Sequence, residues 1–505
     1  MRLGVAVLVM LAGCARLSPF ADEPCELGQG VEGGHAEPEA SERVPLPRKV
    51  AWEATFGGEV AARPHVAARM TGWPTSRLGR ALPTGDRALL ERVARDTWRG
   101  LVAFTDREHA LPVDHVRFAP SSTARADARV GDYTNVTSVG LYLAAIAAAA
   151  DAGLEPRDTA VARATAVLDT LDRLETWNGF FYNYYDTTTL ERSSHFVSFV
   201  DSAWLVAGLM VVRQTFPELA PRASALVERT DFRRFYDPVR RRMRHGWWVQ
   251  RDMPSRFHYG VFYAESRLGS LIAIGKGDVP PAHWFAMVRT FPAACRWQRQ
   301  TPRERRAKTV DGERFFGGWY QWDDVRYVPS WGGSLFEALM PTLVVDEPRL
   351  APESLGANDV AHTAVQRRFA TETLGLPVWG MSSSATLEPA GYGEHGVPDL
   401  GTIGYPAGVV TPHASALALA VDPRAATANL RALAARYPVY GDFGFYDAVD
   451  PKSGAVAPAY LTLDQAMIFL ATANRLCEGC VQRRFAADPI AARAIPVMTG
   501  ERFFE

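Results

Sequence analysis

Three carboxylates set among aromatic residues are the groups of this chain best placed by type and spacing for acid–base chemistry. Glu265 follows His258-Tyr259-Gly260-Val261-Phe262-Tyr263-Ala264 and opens an aliphatic helical pattern through Leu268, Leu271 and Ile272. Asp447 closes Tyr440-Gly441-Asp442-Phe443-Gly444-Phe445-Tyr446. Asp186 closes Trp177-Asn178-Gly179-Phe180-Phe181-Tyr182-Asn183-Tyr184-Tyr185, so that six aromatics and a carboxylate fall within ten residues. A carboxyl in an apolar cleft is pushed toward its neutral form and can donate a proton near neutrality, while a second, ionised carboxylate takes one from water. Glu265 is the candidate acid, Asp447 the candidate base, and Asp186 a group that positions substrate or tunes the acid. Each also has a structural alternative. Glutamate is favourable at a helix start, and aspartates, the neighbouring Asp442 and Asp450 included, begin turns. Arg267 would oppose a neutral Glu265 if the two faced each other.

The flat rings of the Trp177–Asp186 segment either plug the mouth of the fold as a β-hairpin or cover the C–H faces of sugars, with Asn183 and Asp186 taking hydroxyls. Further candidates for substrate contact are Tyr185, Arg267, Trp331, Glu337, Glu394, Tyr446 and Gln465. Trp331 and Glu337 lie in Trp331-Gly332-Gly333-Ser334-Leu335-Phe336-Glu337, and Glu394 in Gly391-Tyr392-Gly393-Glu394-His395-Gly396, where glycines let backbone approach a ligand. Asp464 and Gln465 open the last long helix, to bind or to cap it. His195, His258, His283, His395 and His413 are scattered, so no metal site is expected. HExxH and GxSxG are absent, which removes the signatures of zinc peptidases and serine hydrolases. Carboxylates can supply acid–base catalysis alone, so no cofactor is expected.

The elements that must position these groups are helical. From about Pro83 to Leu476 the apolar period is mostly that of helices, about a dozen, including Ala88–Phe104, Val136–Ala152, Phe196–Thr215, Ala264–Lys276, Ala282–Thr290 and Thr462–Arg475. Between them recur aromatic and glycine-rich loops, such as His245–Phe262, Phe315–Gly333 and Val378–Asp399. This alternation suggests an all-α α/α barrel whose loops, with short β-hairpins, form a cleft at one end. The 505 residues carry 55 basic and 56 acidic side chains, and no basic patch stands out, which argues against nucleic-acid binding.

At the N-terminus, MRLGVAVLVMLAGC has one positive charge, an apolar run too short to span a membrane, and small residues before Cys14. It reads as an export signal over residues 1–13, and Leu11-Ala12-Gly13-Cys14 resembles a bacterial lipobox that would lipidate Cys14 and tether the chain to a membrane. The expected order is then a tether and irregular lead-in at 14–78, a catalytic body at 79–480 and a C-terminal tail at 481–505. Gly28-Gln29-Gly30-Val31-Glu32-Gly33 lacks the strand and helix of a dinucleotide site. Cys477-Glu478-Gly479-Cys480 has no second pair to complete a zinc site and is read as a local disulfide or two thiols.

In WNGFFYNYYDTTTLE (177–191), FVSFVDSAWL (196–205), GVFYAESRLGSLIAIGKGDVPPAHWF (260–285), SWGGSLFEALMP (330–341), PVWGMSSS (377–384), GFYDAVD (444–450) and YLTLDQAM (460–467), the chain resembles the bacterial glucoamylase-like domain of endo-β-1,2-glucanases and cyclic β-1,2-glucan synthases. The resemblance runs from about Arg87 to Leu476. It implies a six-fold α/α toroid and hydrolysis or transfer of β-linked glucose, with Glu265, Asp186 and Asp447 matching the family's acidic positions. The sequence departs from the family after WGMS, where Ser382-Ser383-Ser384-Ala385-Thr386 replaces an acidic and aromatic stretch, and at Ala466 of the LDQ segment. Together these features describe an exported, lipid-anchored, monomeric glycoside hydrolase of a β-glucan, with a transglycosylase of the same fold or a non-catalytic glucan-binding lipoprotein as the alternatives.

Overall fold

The computed structural model describes residues 60–61, 81–118, 128–387 and 391–505. The export signal, Cys14, Cys25 and nearly all of the 14–78 segment lie outside the described residues; its Val60–Ala61 pairs antiparallel with Val130 and Arg129.

The long helices divide into two kinds by what they bury. Helix α1 (Asp86–Ala103) presents an apolar stripe and a charged one, whereas α2 (Val136–Asp151) is buried without a break from Val136 to Ala149. A helix apolar on every side needs neighbours all round. α3 (Arg157–Leu171) packs outside α2. Then α4 (Phe199–Thr215) is enclosed like α2, and α5 (Ala220–Glu228) lies outside it. The order continues with α6 (Arg267–Lys276), α7 (Leu335–Leu339), α8 (Leu355–Arg368), α9 (Pro412–Leu417), α10 (Pro423–Arg436) and α11 (Thr462–Leu476). α2 packs on α4 and α11, α4 on α6, and α9 on α7 and α11, while α1, α3, α5, α8 and α10 back them. The α2–α4 contact is close enough that a Cβ on Gly208 would sit 2.0 Å from the Gly140 carbonyl oxygen. Only glycine permits that approach.

Three expectations are corrected. The fold is mostly helical but carries small sheets, the largest hairpin being Glu304–Val310 against Glu313–Trp322, extended by Val325–Tyr327. Its signal was Asp311-Gly312, whose φ values of 51° and 80° make the turn that Asp-Gly favours. The helix expected over Ala282–Thr290 stops at Ala286, and Val288 instead exchanges backbone hydrogen bonds with Gly260 and Phe262. Residues 481–505 are no tail. α12 (Cys480–Ala486) and α13 (Pro489–Ala494) pack on α4 and α6, and Glu501 accepts from the fully buried Arg289 at 2.8 Å. An unpaired arginine there would be costly, so the last residues complete the core. Cys477 and Cys480 form a disulfide.

Candidate active site

Glu265 sits in the turn that leads into α6, whose first residue, Arg267, comes three residues after the expected helix start at Ala264. The preceding strand is pinned by Phe262 N–H to Val288 O at 3.0 Å and Val288 N–H to Gly260 O at 2.7 Å. The glutamate remains partly exposed. Burial, then the charge of Glu337, with a smaller push from Asp201, raises its pKa from 4.5 to about 7. Arg267 pulls the other way, less than burial and Glu337 raise it but more than Asp201 does. Its guanidinium is fully enclosed, donates to Glu347 at 2.8 and 2.7 Å, and spends its remaining donors on the carbonyls of Ala264, Glu337 and Ala338. The expected contact between Arg267 and substrate is therefore replaced by a tie between α6, α7 and the Glu347 segment.

Glu337 caps α7 in a reciprocal box with Ser334 and accepts from Ser330 Oγ at 2.7 Å and Gly332 N–H at 2.9 Å. Both readings of this glutamate meet here: it is a structural cap whose charge acts on Glu265. Beside it Trp331 is partly exposed, with a buried indole N–H that lacks a partner. A Cβ on Gly332 would lie 2.0 Å from the Tyr405 ring, so this glycine lets the ring close over the loop. Glu394 is exposed as a residue, and partial desolvation of its carboxyl pushes its pKa up. Tyr405 feels, after its own burial, Glu337, Glu394 and Glu265. Tyr392 in turn feels Asp464, Asp447 and Glu394. These two tyrosines join the Glu265 side to the Asp447 side in one acidic rim.

Asp447 follows the hairpin Tyr440–Gly441 and Gly444–Phe445 and is 1 % exposed. Its Oδ2 accepts from Ala385 N–H at 2.6 Å, while Oδ1 has no partner. Asp450 serves its own turn, accepting from Lys452 N–H and Ser453 Oγ. Asp464, at the first turn of α11, lies against Asp447, and His413, at the start of α9, brings Nδ1 to 3.5 Å from Asp464 Oδ2. His413, Asp447 and Asp464 thus form a cluster with ligand-capable atoms within 4.8 Å of one another. His413 is the one histidine of this cluster, and 34 and 17 residues of chain separate its three members, which only tertiary packing brings together.

The remaining sites are more structural than expected. Of the Trp177–Asp186 aromatics, only Trp177 is partly exposed; the other five are buried, as the hairpin-plug alternative requires. Asn178-Gly179 makes the tight turn of that hairpin. Asp186 Oδ1 accepts from the N–H groups of Thr188 and Thr189 at 2.7 and 2.9 Å, a turn-forming role, and the aspartate acting on Glu265 is Asp201, held by Thr137 Oγ1 at 2.7 Å. Tyr185 is fully buried and donates to Glu175 O. Asn183 is enclosed against Asn135. Gln465 Nε2 donates to Phe445 O, leaving Oε1 unpaired, and the Tyr446 hydroxyl is likewise buried without a partner. Asp201 and Asp464 both stood inside motifs already singled out, FVSFVDSAWL and YLTLDQAM. Asp464 was already a candidate at the start of the last long helix, whereas nothing in its spacing marked Asp201 over neighbouring polar residues.

Against this geometry the relatives can be set. A family model described as "Putative glucoamylase" matches residues 297–489. A protein of the same description from Bacteroides fragilis superposes with a TM-score of 0.65 at 18% identity, covering 84% of this chain and 99% of its own. The chain has the glucoamylase-like fold. An endo-β-1,2-glucanase from Chitinophaga pinensis, solved with sophorotriose and glucose, shares that fold with a TM-score of 0.63 at 14% identity, covering 83% of this chain and 99% of its own. In sequence the chain is 30% identical over 332 residues to the cyclic β-(1,2)-glucan synthase NdvB of Rhizobium meliloti, which is 60% of this chain and 10% of that protein. The chain therefore spans about a tenth of that relative's length. Glu265 lies upstream of the matched family region, which holds Trp331, Glu337, Glu394 and Asp447.

Proposed function

We propose that this glucoamylase-like protein is a glycoside hydrolase acting on a β-glucan, with β-1,2-glucan as the substrate to test first. The observation that carries the reading is Glu265: a partly exposed glutamate on an acidic rim, raised to about 7 and so able to stay protonated at neutral pH. In the proposed step Glu265 protonates the leaving glycosidic oxygen while Asp447 takes a proton from the attacking water. Trp331 and Glu394 are proposed substrate contacts, and the enclosed Asn183 supports them from behind. Asp186, Tyr185, Gln465 and Tyr446 do the same, as their buried contacts suggest. Packing of α2, α4, α6, α7, α9 and α11, with the other helices outside, supports a six-fold α/α toroid.

Export with a lipid anchor at Cys14, and a monomeric state, complete the proposal. The disulfide between Cys477 and Cys480 suits an oxidising compartment. Transfer between sugars is the second reading, favoured by the synthase relative.

Protein lacking the N-terminal segment, incubated with linear β-1,2-glucan and other β-glucans, tests the reading. Shorter linear products support hydrolysis, and cyclic or longer ones support transfer. Glu265→Gln should lower kcat by about 10²–10⁴-fold while leaving substrate binding intact. Full activity in that variant would remove Glu265 as the acid.

A further inference from the structure

His413, Asp447 and Asp464 are 0%, 1% and 1% exposed. Both Asp464 oxygens, Asp447 Oδ1 and His413 Nδ1 lack hydrogen-bond partners. As two ionised carboxylates, Asp447 and Asp464 would face each other with no donor between them, in an enclosure where unpaired charge is expensive. The groups packed around them supply positive charge toward Asp447 but not toward Asp464. Burial drives His413 down to about 3, so the imidazole is neutral. Asp114, hydrogen-bonded to His115 at 2.9 Å, adds negative charge toward Asp464. His115 and Arg117 favour the ionised form of Asp447, and burial keeps Tyr392 neutral.

A single proton resolves the arrangement. We infer that Asp447 and Asp464 share one proton, resident on Asp464 and donated to Asp447, so that Asp464 is the positioning residue that keeps the proposed base ionised inside the fold. Orphaned oxygens on both residues then become a donor and an acceptor. The electrostatics agree in direction: burial first and then the Asp447 charge push Asp464 upward, and the hydrogen bonds from Asp464 and Ala385 N–H oppose the rise of Asp447. Facing carboxyls that cannot both ionise titrate as a pair. In the hydrolytic step one water O–H bond breaks and its proton passes to Asp447. The water oxygen bonds to the anomeric carbon, the glycosidic C–O bond breaks, and the departing oxygen takes the Glu265 proton. The Asp464 proton stays in place, and Asp447 returns its own to solvent as Glu265 is reprotonated.

The base role rests on the proposed function; the shared proton does not, and the two are tested separately. Infrared difference spectra of wild type minus Asp464→Asn, taken without substrate at neutral pH, should show one buried protonated-carboxyl C=O band that the variant lacks, beside the bands of Glu265 and other protonated carboxyls that both proteins keep. Absence of that band in the wild-type protein, or its survival in the variant, overturns the shared proton whatever the chain cleaves. In pH–rate profiles on the active substrate, Asp464→Asn keeps a donor toward Asp447 and should retain at least about a tenth of kcat. Asp464→Ala should lose about 100-fold, with its acid limb moved to higher pH because Asp447 has lost a bond that favours its ionised form. An Asn variant as poor as the Ala variant, or an unshifted acid limb, overturns the assignment. So does activity abolished by EDTA and restored by Mn²⁺ or Zn²⁺, which would make the cluster a cation site.

Discussion

Two buried acidic clusters lie behind the rim, and the fold treats them in opposite ways. Around Arg267 every guanidinium donor is used, by Glu347 and three backbone carbonyls, although the neighbouring Asp359 keeps one oxygen unpaired. Around Asp447 four polar atoms of three residues are left without partners. Buried polar groups are ordinarily satisfied, so a satisfied cluster reads as architecture and an unsatisfied one as chemistry held in reserve. Sequence alone offered Asp447 as a base and Arg267 as a substrate contact, and what surrounds each decides between a chemical and an architectural role.

Replacement of Asp447 probes the unsatisfied cluster most sharply. Asp447→Asn should cost about 10²–10⁴-fold in kcat on the active substrate, yet its melting temperature should hold or rise, because a buried carboxylate has been exchanged for a neutral amide. A large loss of stability instead would make Asp447 architectural and end the contrast. The complementary change is Glu347→Ala, which strands Arg267 as an unpaired buried charge and should cost about 3–5 kcal/mol of stability by denaturant titration. A variant that melts like the wild type would show that the arginine cluster is not the tie between α6 and α7 described above.

A smaller effect comes from Glu265. Its folded value of about 7 lies above the ordinary 4.5, so the folded state holds the proton more tightly than the unfolded one, and ionisation destabilises the fold as pH rises from about 4.5 through about 7. The same ionisation removes the acid, so kcat should fall on the alkaline side of about pH 7. Glu265→Gln removes the stability penalty. Its melting temperature should exceed that of the wild type above pH 7 and converge with it at acid pH, and coincidence at both ends would mean the glutamate is not raised. The least costly change is at the disulfide. Opening the short Cys477–Cys480 loop with paired Cys→Ser substitutions should cost about 2 kcal/mol or less, with no change in the pH profile. A changed profile would tie the C-terminal helices to the acidic rim.

Much of the helical body was legible because its signal is local. Val136 onward and Thr462 onward show their apolar period within one segment, and both helices form within a residue of the expected ends. The carboxylates Glu265 and Asp447 were legible as types in aromatic company. The hairpin over Glu304–Trp322 was written in Asp311-Gly312 and was masked by flanking strands rich in charge. Asp201 and His413 carried no such mark, and Asp464 was marked only as a helix-start residue that binds or caps.

The sequence by itself determined where helices form, which loops concentrate rings and acids, and how little net charge the chain carries, because these follow from side-chain type and short-range periodicity. Only the tertiary structure decided which acid is enclosed, which is paired and which is pressed against a second carboxyl. Those outcomes depend on desolvation and on charges brought close by packing between residues tens to hundreds of positions apart, as Arg289 with Glu501 and Asp447 with Asp464 show.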